Sequence, residues 1–207
     1  MDVFSLITGF LVMLNPFALF LYLKPVMHDL SDKEFRLVLS RATIISFFIF
    51  VVFLAFGDFL FKKVFQINFE SFRVFGGVIL FSLAYLFIVK GQKAFIQIKE
   101  DLDDLASEIA LPFMVGAGTL SFCILMSDIL SFWVGVLALT GIMIVNFLMV
   151  MGLKELRGRL NYRQFRIAFD KNMEVLMRIN GFFVGAIGVD MIIKGIMNIF
   201  HSGGQMP

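Results

Sequence analysis

The stretch VFSLITGFLVMLNPFALFLYL, Val3–Leu23, decides the fold class of this chain. It is apolar over a length that crosses a hydrocarbon core, for which about 20 residues suffice, yet Asn15-Pro16 stands inside it. A spanning helix satisfies its own backbone hydrogen bonds, because lipid offers no substitute partners. Proline deletes one donor and clashes with the preceding turn. Asn is a favoured N-cap and Pro a favoured first helical residue. The pair therefore reads as the end of one half-helix and the start of another, at membrane depth. Such interruptions survive only where they are buried in protein or line a watery cavity, and in transporters they mark substrate sites.

Composition agrees with a membrane setting. Of the 207 residues 59% are hydrophobic, against roughly 45–50% in soluble domains, and the mean hydropathy is +0.91. The net charge of +2 is too small to suggest a nucleic-acid partner. One cysteine (Cys123) and two histidines (His28, His201) make no disulfide framework and no His/Cys metal site, so no cofactor is expected. Cys123 reads as a small buried apolar residue. Met1-Asp2 supplies neither a basic leader nor a cleavage motif, and the first span reads as retained.

Six apolar segments follow one another: Val3–Leu23, about Val38–Phe61, Phe72–Val89, Ile109–Ser127, Leu130–Leu153 and Val175–Phe200. Short connections leave no chain for a soluble module, so residues 1–207 read as one transmembrane domain. The longer connections are Lys90–Glu108 and Lys154–Glu174. With the N-terminus outside, 14 of the 18 basic residues fall on the cytoplasmic side, leaving Lys62, Lys63, Arg73 and Lys194 opposite. Both termini are then external, in a plasma membrane of the bacterial inner-membrane type. The basic stretch YRQFRIAFDK, Tyr162–Lys171, reads equally as a short helix lying on an anionic leaflet or as a solvated loop. The acidic run Glu100, Asp101, Asp103, Asp104 and Glu108 reads as a solvated connection.

The two halves of the chain echo each other. Arg73-Val74-Phe75-Gly76 opens the third span and Arg178-Ile179-Asn180-Gly181 the sixth; each span closes on Lys-Gly, and the first and fourth share Pro16-Phe17 and Pro112-Phe113. A duplicated three-helix unit (about 1–93 and 94–207) has an odd number of spans, so its second copy enters from the opposite face. The expected fold is all-α, six spans in two inverted-topology repeats, with the first and fourth helices broken.

In the fourth span Pro112 precedes Gly116-Ala117-Gly118-Thr119. Glycine permits strained backbone and close approach, and Thr119 is a residue type that caps a second half-helix. Two helix N-termini, near Pro16 and Thr119, would then face the interior from opposite sides. Each carries about half a positive charge and unpaired N–H groups, a cradle for a carboxylate. Carbonyls at the preceding helix ends suit an ammonium, so a small zwitterion is the natural occupant. The candidate binding residues are Asn15, Pro16, Phe17, Ala18, Pro112, Gly116, Ala117, Gly118 and Thr119. The depths match only if the fourth helix begins within Asp101–Glu108. A packing kink is the plainer reading of either break alone.

Other intramembrane polar groups are few. Asp190 reads as a proton carrier or as an anchor paired with Lys194 one turn on. Asn146, Thr140, Ser121 and Thr8 either line a cavity or bond between helices. The phenylalanines of the second span (Phe47, Phe48, Phe50, Phe53, Phe56) read as core and lipid-facing bulk.

Asn15-Pro16-Phe17-Ala18 resembles the Asn-Pro-x-Gly motif of the MarC-type membrane proteins, a family that includes archaeal small neutral amino-acid transporters. Pro112-x-x-x-Gly116-Ala117-Gly118 resembles that family's Pro-x-x-x-Gly-Pro-Gly, and the openings at Phe72-Arg73-Val74-Phe75-Gly76-Gly77 and Arg178–Gly181 look like its third and sixth spans. The resemblance covers nearly the whole chain. It implies uptake or exchange of glycine- or alanine-sized substrates driven by a proton or sodium gradient, with Asn15, Pro16, Ala18, Pro112, Gly116 and Gly118 at the motif positions. The chain departs from the pattern at Ala18, Leu21, Glu108 and Ala117, where the family carries a glycine and three prolines. Ala18 adds a methyl beside the expected cavity.

The leading expectation is therefore a secondary transporter of small neutral amino acids in the lipid bilayer. An exporter of another small metabolite or ion, and a non-transporting membrane protein, are the alternatives. No Ser/His/Asp set, histidine cluster or paired intramembrane carboxylates is present in the sequence, which points away from an enzyme.

Overall fold

Asn15 is the first residue at which the chain leaves right-handed helix. Its backbone sits in the left-handed region (φ 47°, ψ 69°), a conformation asparagine tolerates better than most side chains. Helix α1 (Val3–Leu14) ends there and α2 (Pro16–Tyr22) begins. A short α3 (Lys24–Asp29), again with a proline in its first turn, leads to α4 (Asp32–Phe59). The start of α4 is fixed by a reciprocal pair: the Ser31 N–H donates to Glu34 Oε2 (2.9 Å) and the Glu34 N–H to Ser31 Oγ (3.4 Å). A wide turn, Leu60–Phe65, closes on Gln66 at φ 51°. Then come α5 (Phe69–Lys90), α6 (Leu102–Glu108), a second wide turn Ile109–Met114, α7 (Ala117–Ile129), α8 (Phe132–Arg159) and α9 (Arg163–Gly203).

This computed structural model describes residues 3–90, 102–160 and 162–203. Among them every regular element is helical. Five stretches, Val3–Tyr22, Asp32–Gly57, Phe69–Val89, Phe132–Arg159 and Arg163–Phe200, are long and apolar enough to cross a membrane, and Gly118–Ile129 is a shorter apolar helix. The expected fourth span, Ile109–Ser127, is thus not one rod. It is assembled from α6, the wide turn and α7, because the chain cannot stay helical through Leu111-Pro112 and Gly116. The helical stretch that precedes Pro112 starts at Leu102, within the window the depth argument requires. Lys93, Lys99, Glu100 and Asp101 lie outside the described residues, as does the expected repeat boundary. Asp103, Asp104 and Glu108 belong to α6 rather than to an irregular connection.

The stretch Tyr162–Lys171 is neither a separate surface helix nor a loop. From Arg163 it forms the opening turns of α9, 41 residues long and continuous with the sixth apolar segment. Tertiary contacts explain the difference. Phe169 stacks edge-on to the buried Phe20 of α2 (5.9 Å between ring centres), and Asp170 pairs with Lys24 (2.6 Å) and with Arg157 (2.8 Å). Little of the expected Lys154–Glu174 connection is outside helix, since α8 runs to Arg159 and α9 starts at Arg163.

The bundle is organised by pairs of helices. α5 lies antiparallel along α9, and at their crossing Gly77 meets Gly188: a Cβ on Gly77 would stand 2.5 Å from the Gly188 carbonyl oxygen. Small residues of this kind let membrane helices approach to backbone contact, where dispersion rather than the hydrophobic effect holds them. α4 packs on α8 and α7, and α1 on α7. Phe10, Phe50 and Phe122 stack edge-on at the centre of the main core (5.2 and 6.2 Å between ring centres). Phe50 is buried while Phe48 and Phe56 face outward, so the second span's phenylalanines divide between core and surface.

Candidate functional site

The first break is closed almost entirely by its own residues. The Asn15 N–H donates to the Leu11 carbonyl (3.1 Å), ending α1, and the Asn15 carbonyl accepts from Leu19 (3.0 Å), starting α2. Its side-chain Oδ1 accepts from the Ala18 N–H (3.1 Å). Pro16, at the first helical position, has no N–H to satisfy. One side-chain group is left over. Asn15 is 4% exposed and its amide Nδ2 has no hydrogen-bond partner.

The second break is spread over more chain. Leu111 is extended (φ −118°, ψ 115°), the conformation a residue before a proline favours. The Val115 N–H bridges back to the Ala110 carbonyl (2.8 Å), and Gly116 is again extended (φ −125°, ψ 169°). Here the expectation for Thr119 needs correction. The capping position is Gly116, and Thr119 is the third residue of α7, reaching back rather than starting the helix. Its Oγ1 accepts from the Gly116 N–H (2.9 Å) and lies 3.1 Å from the Met114 carbonyl and 2.9 Å from that of Gly116, either of which can take its proton. Since glycine has no side chain, nothing caps the free N–H groups of the first turn of α7 from that position. Ser46 of α4, fully buried, donates to Met114 Sδ (3.5 Å) and ties the segment to its neighbour.

Both breaks open onto one cavity of about 80 Å³. A single ordered water needs roughly 10–15 Å³ on this measure, so there is room for a few waters or one very small solute. From the first break come Asn15 and Ala18, with Met13, Leu14, Leu19 and Tyr22 around them. From the second come Met114, Gly116, Gly118 and Thr119. Leu80, Leu83 and Phe87 of α5 and Val184 of α9 complete the wall. No charged side chain lines it. The polar groups are the Asn15 amide, the Tyr22 phenol, the Thr119 hydroxyl and the backbone of the two glycines. Such a set can bind a small solute through donors and helix-end dipoles inside an otherwise apolar wall.

Of the nine expected binding residues, the cavity gathers Asn15, Ala18, Gly116, Gly118 and Thr119. Pro16 is buried and Phe17 packs with Phe20, Tyr22 and Phe87 in a second core cluster. Of Pro112 and Ala117 only the backbone is described. Asp190 and Ser121 are elsewhere, on a separate cavity of about 170 Å³ with Arg73 and Lys194. Asp190 forms the ion pair with Lys194 (2.7 Å) that their spacing predicts, with both side chains about half exposed. It is therefore not a deeply buried carboxylate. Asn146 is fully buried on the inner face of α8, its amide unpaired, and lines neither cavity. Thr8 and Thr140 bond back to their own helices, at Phe4 and Val136. Tyr22 was not anticipated, although its place four residues after Ala18 sets both on one face of α2. Leu80, Leu83 and Phe87 share a face by the same spacing, but apolar residues in an apolar span carry no signal. Among the described residues no group of three or more His, Cys, Asp or Glu could hold a metal ion.

Comparison with known proteins agrees with a membrane protein. The sequence model of the family described as MarC family integral membrane protein matches residues 1–200. Among similar proteins, a UPF0056 membrane protein of Aquifex aeolicus is 25% identical over 196 residues, covering 91% of this chain and 89% of that one. Another, from Methanocaldococcus jannaschii, is 26% identical and covers 88% and 90%. The UPF0056 membrane protein YvbG of Bacillus subtilis is 25% identical, covering 82% of each. Their names state a membrane location and no substrate. No solved structure matches the chain significantly.

Proposed function

This chain belongs to the MarC family of integral membrane proteins, and on that premise we propose that it is a secondary transporter of small neutral amino acids, of the glycine and alanine class, working by alternating access on a proton or sodium gradient. The observation that carries the reading is the convergence of two helix interruptions, Asn15 and Gly116–Thr119, on one buried cavity. The unpartnered Asn15 Nδ2 and the uncapped N–H groups at the start of α7 are donors without acceptors, and a carboxylate supplies the acceptors. The small volume, walled by Leu80, Leu83, Phe87 and Val184, favours a solute with little or no side chain. Ala18 adds a methyl to the same wall.

An inverted repeat, residues about 1–93 against 94–207, gives the two elements that rock against each other. The pairing of helices supports it: α1 touches α7, α4 touches α8 and α5 touches α9. Along the last pair, Gly77 meets Gly188, and Gly195 meets Val74 and Glu70. That register sets residues 80 and 185 opposite one another, each seven residues beyond the arginine that opens its span. In this reading the end carrying Lys24, Lys154 and Arg157 is cytoplasmic, and both termini lie outside a bacterial inner membrane.

The test is uptake of labelled glycine or alanine into proteoliposomes under proton and sodium gradients. Saturable flux, abolished by Gly116→Leu, is the expected result. Absence of flux for both amino acids under both gradients, from protein that remains folded in the vesicles, overturns the proposal.

A further inference from the structure

Along one side of α4, Asp32, Arg36, Ser40, Thr43, Ile44 and Phe47 form a continuous stripe. The facing stripe on α8 runs from Thr140 through Ile144 and Phe147 to Met151, Lys154 and Glu155. Between them lies a cleft with two adjoining parts of opposite character. At the basic end is a cavity of about 610 Å³ into which Arg36, Lys154, Arg157 and Arg159 project, against the carboxylates of Asp32 and Glu155. One helical turn further along, the cleft becomes an apolar groove of about 380 Å³. The hydroxyls of Thr43 and Thr140 do not make it polar, since each donates to its own helix, at Leu39 (2.7 Å) and Val136 (2.8 Å). The rims of the groove, Ile44, Phe48, Ile144 and Leu148, are each more than half exposed on the face a bilayer would cover.

We propose that this cleft binds one anionic phospholipid, its phosphate among Arg36, Lys154 and Arg159 and an acyl chain in the groove below. Two observations choose that occupant. In the upper part Lys154 is paired with Asp32, Arg159 with Glu155 (2.6 Å) and Arg157 with Asp170, whereas Arg36, whose charge also acts on Asp32, makes no ion pair among the described residues, so a phosphate finds one cation outside those pairs. Lys154 is held in place by Asp32 (2.6 Å) and by the ring of Phe35 (4.3 Å). The second observation is length. From Asp32 to Phe47 the stripe rises about 22 Å at 1.5 Å per residue, close to half of the roughly 40–45 Å that a bilayer measures with its headgroups. A molecule that is charged at one end, apolar below, and one leaflet long is a phospholipid. The proposal holds whether or not the central cavity carries amino acids, since the two sites share no lining residue.

The experiment is a titration of the purified protein in neutral detergent with phosphatidylglycerol, phosphatidylcholine or inorganic phosphate, read by thermal midpoint and by native mass spectrometry. Phosphatidylglycerol is expected to bind and raise the midpoint, phosphatidylcholine to bind more weakly, and phosphate alone to do nothing. Arg36→Gln removes one surface cation and should weaken phosphatidylglycerol about fivefold while leaving phosphatidylcholine unchanged. Thr140→Trp fills the groove and should lower occupancy by both lipids. Equal binding of the two lipids, protection by phosphate alone, or an Arg36→Gln protein with unaltered phosphatidylglycerol affinity would each overturn the assignment.

Discussion

The two breaks solve one problem, how to interrupt a helix inside a membrane, by different means. At Asn15 a single residue does it. The left-handed backbone, the side-chain bond to Ala18 and the proline that follows all lie within four positions, and the bonds that close the turn are made by Asn15 itself. Before α7 the interruption runs from Leu111 to Gly116 and relies on neighbours: Ser46 holds Met114, and Gly118 is closed over by Met13 and Leu80. A compact break is a property of the local sequence. A distributed break depends also on the packing around it.

The comparison can be broken most forcefully at Gly118. A Cβ there would already stand 2.6 Å from Leu80 Cδ1 and crowd Met13 Cε. Gly118→Leu should cost about 3 kcal/mol through overpacking, seen as a lowered thermal midpoint in detergent. Gly118→Ala asks only the flexible tips of Met13 and Leu80 to shift and should cost much less. Equal stability of the leucine variant and the parent would mean that packing does not set the second break.

Next in size is Asn15→Ala, which forces a residue with a Cβ and no cap into the left-handed region. Loss of the cap and the backbone conflict together should remove about 2 kcal/mol. Asn15→Gly keeps the backbone free and should lie within a few tenths of the parent. If the alanine and glycine variants melt together, the left-handed turn is not what holds the first break. The glycine variant also deletes Nδ2, so half-saturation for glycine uptake should rise by up to about tenfold, the worth of one hydrogen bond.

Smaller effects separate the supports of the second break. Thr119→Val keeps shape but removes the acceptor for the Gly116 N–H, and should cost about 1 kcal/mol. Thr119→Ser should restore it, and a serine variant no better than valine would show that the methyl, not the hydroxyl, matters. Ser46→Ala loses only a weak bond to sulfur and should change stability by about 0.5 kcal/mol. A larger loss than that at Thr119 would place the anchor of the break on α4.

Much of the first break was legible because asparagine and proline act on the backbone within a few residues. Their order announced the helix end and the helix start, while the left-handed backbone at Asn15 is a finding of the structure. The second break was legible only as a region: Pro112 and the glycines announced it, yet the cap at Gly116 and the backward reach of Thr119 to Gly116 and Met114 appear only in the structure, where Met13, Ser46 and Leu80 from three other helices pack on the segment. The stretch Tyr162–Lys171 shows the same limit. Its charges suggested a surface segment, and only Phe20, Lys24 and Arg157, brought from three other helices, make it the first turns of α9.

By itself, then, the chain's order of residues determined an integral membrane protein, helical throughout its apolar runs, and interrupted where Asn15-Pro16 and Pro112–Gly118 fall. Tertiary structure alone decided which faces look inward, that five of the nine expected binding residues share a cavity with Tyr22, and that Asp190 does not join them. The reason is physical. In a soluble helix one apolar stripe marks the buried face, but lipid is as apolar as a protein core, so a spanning segment is greasy on every side and its pattern cannot say which side meets another helix.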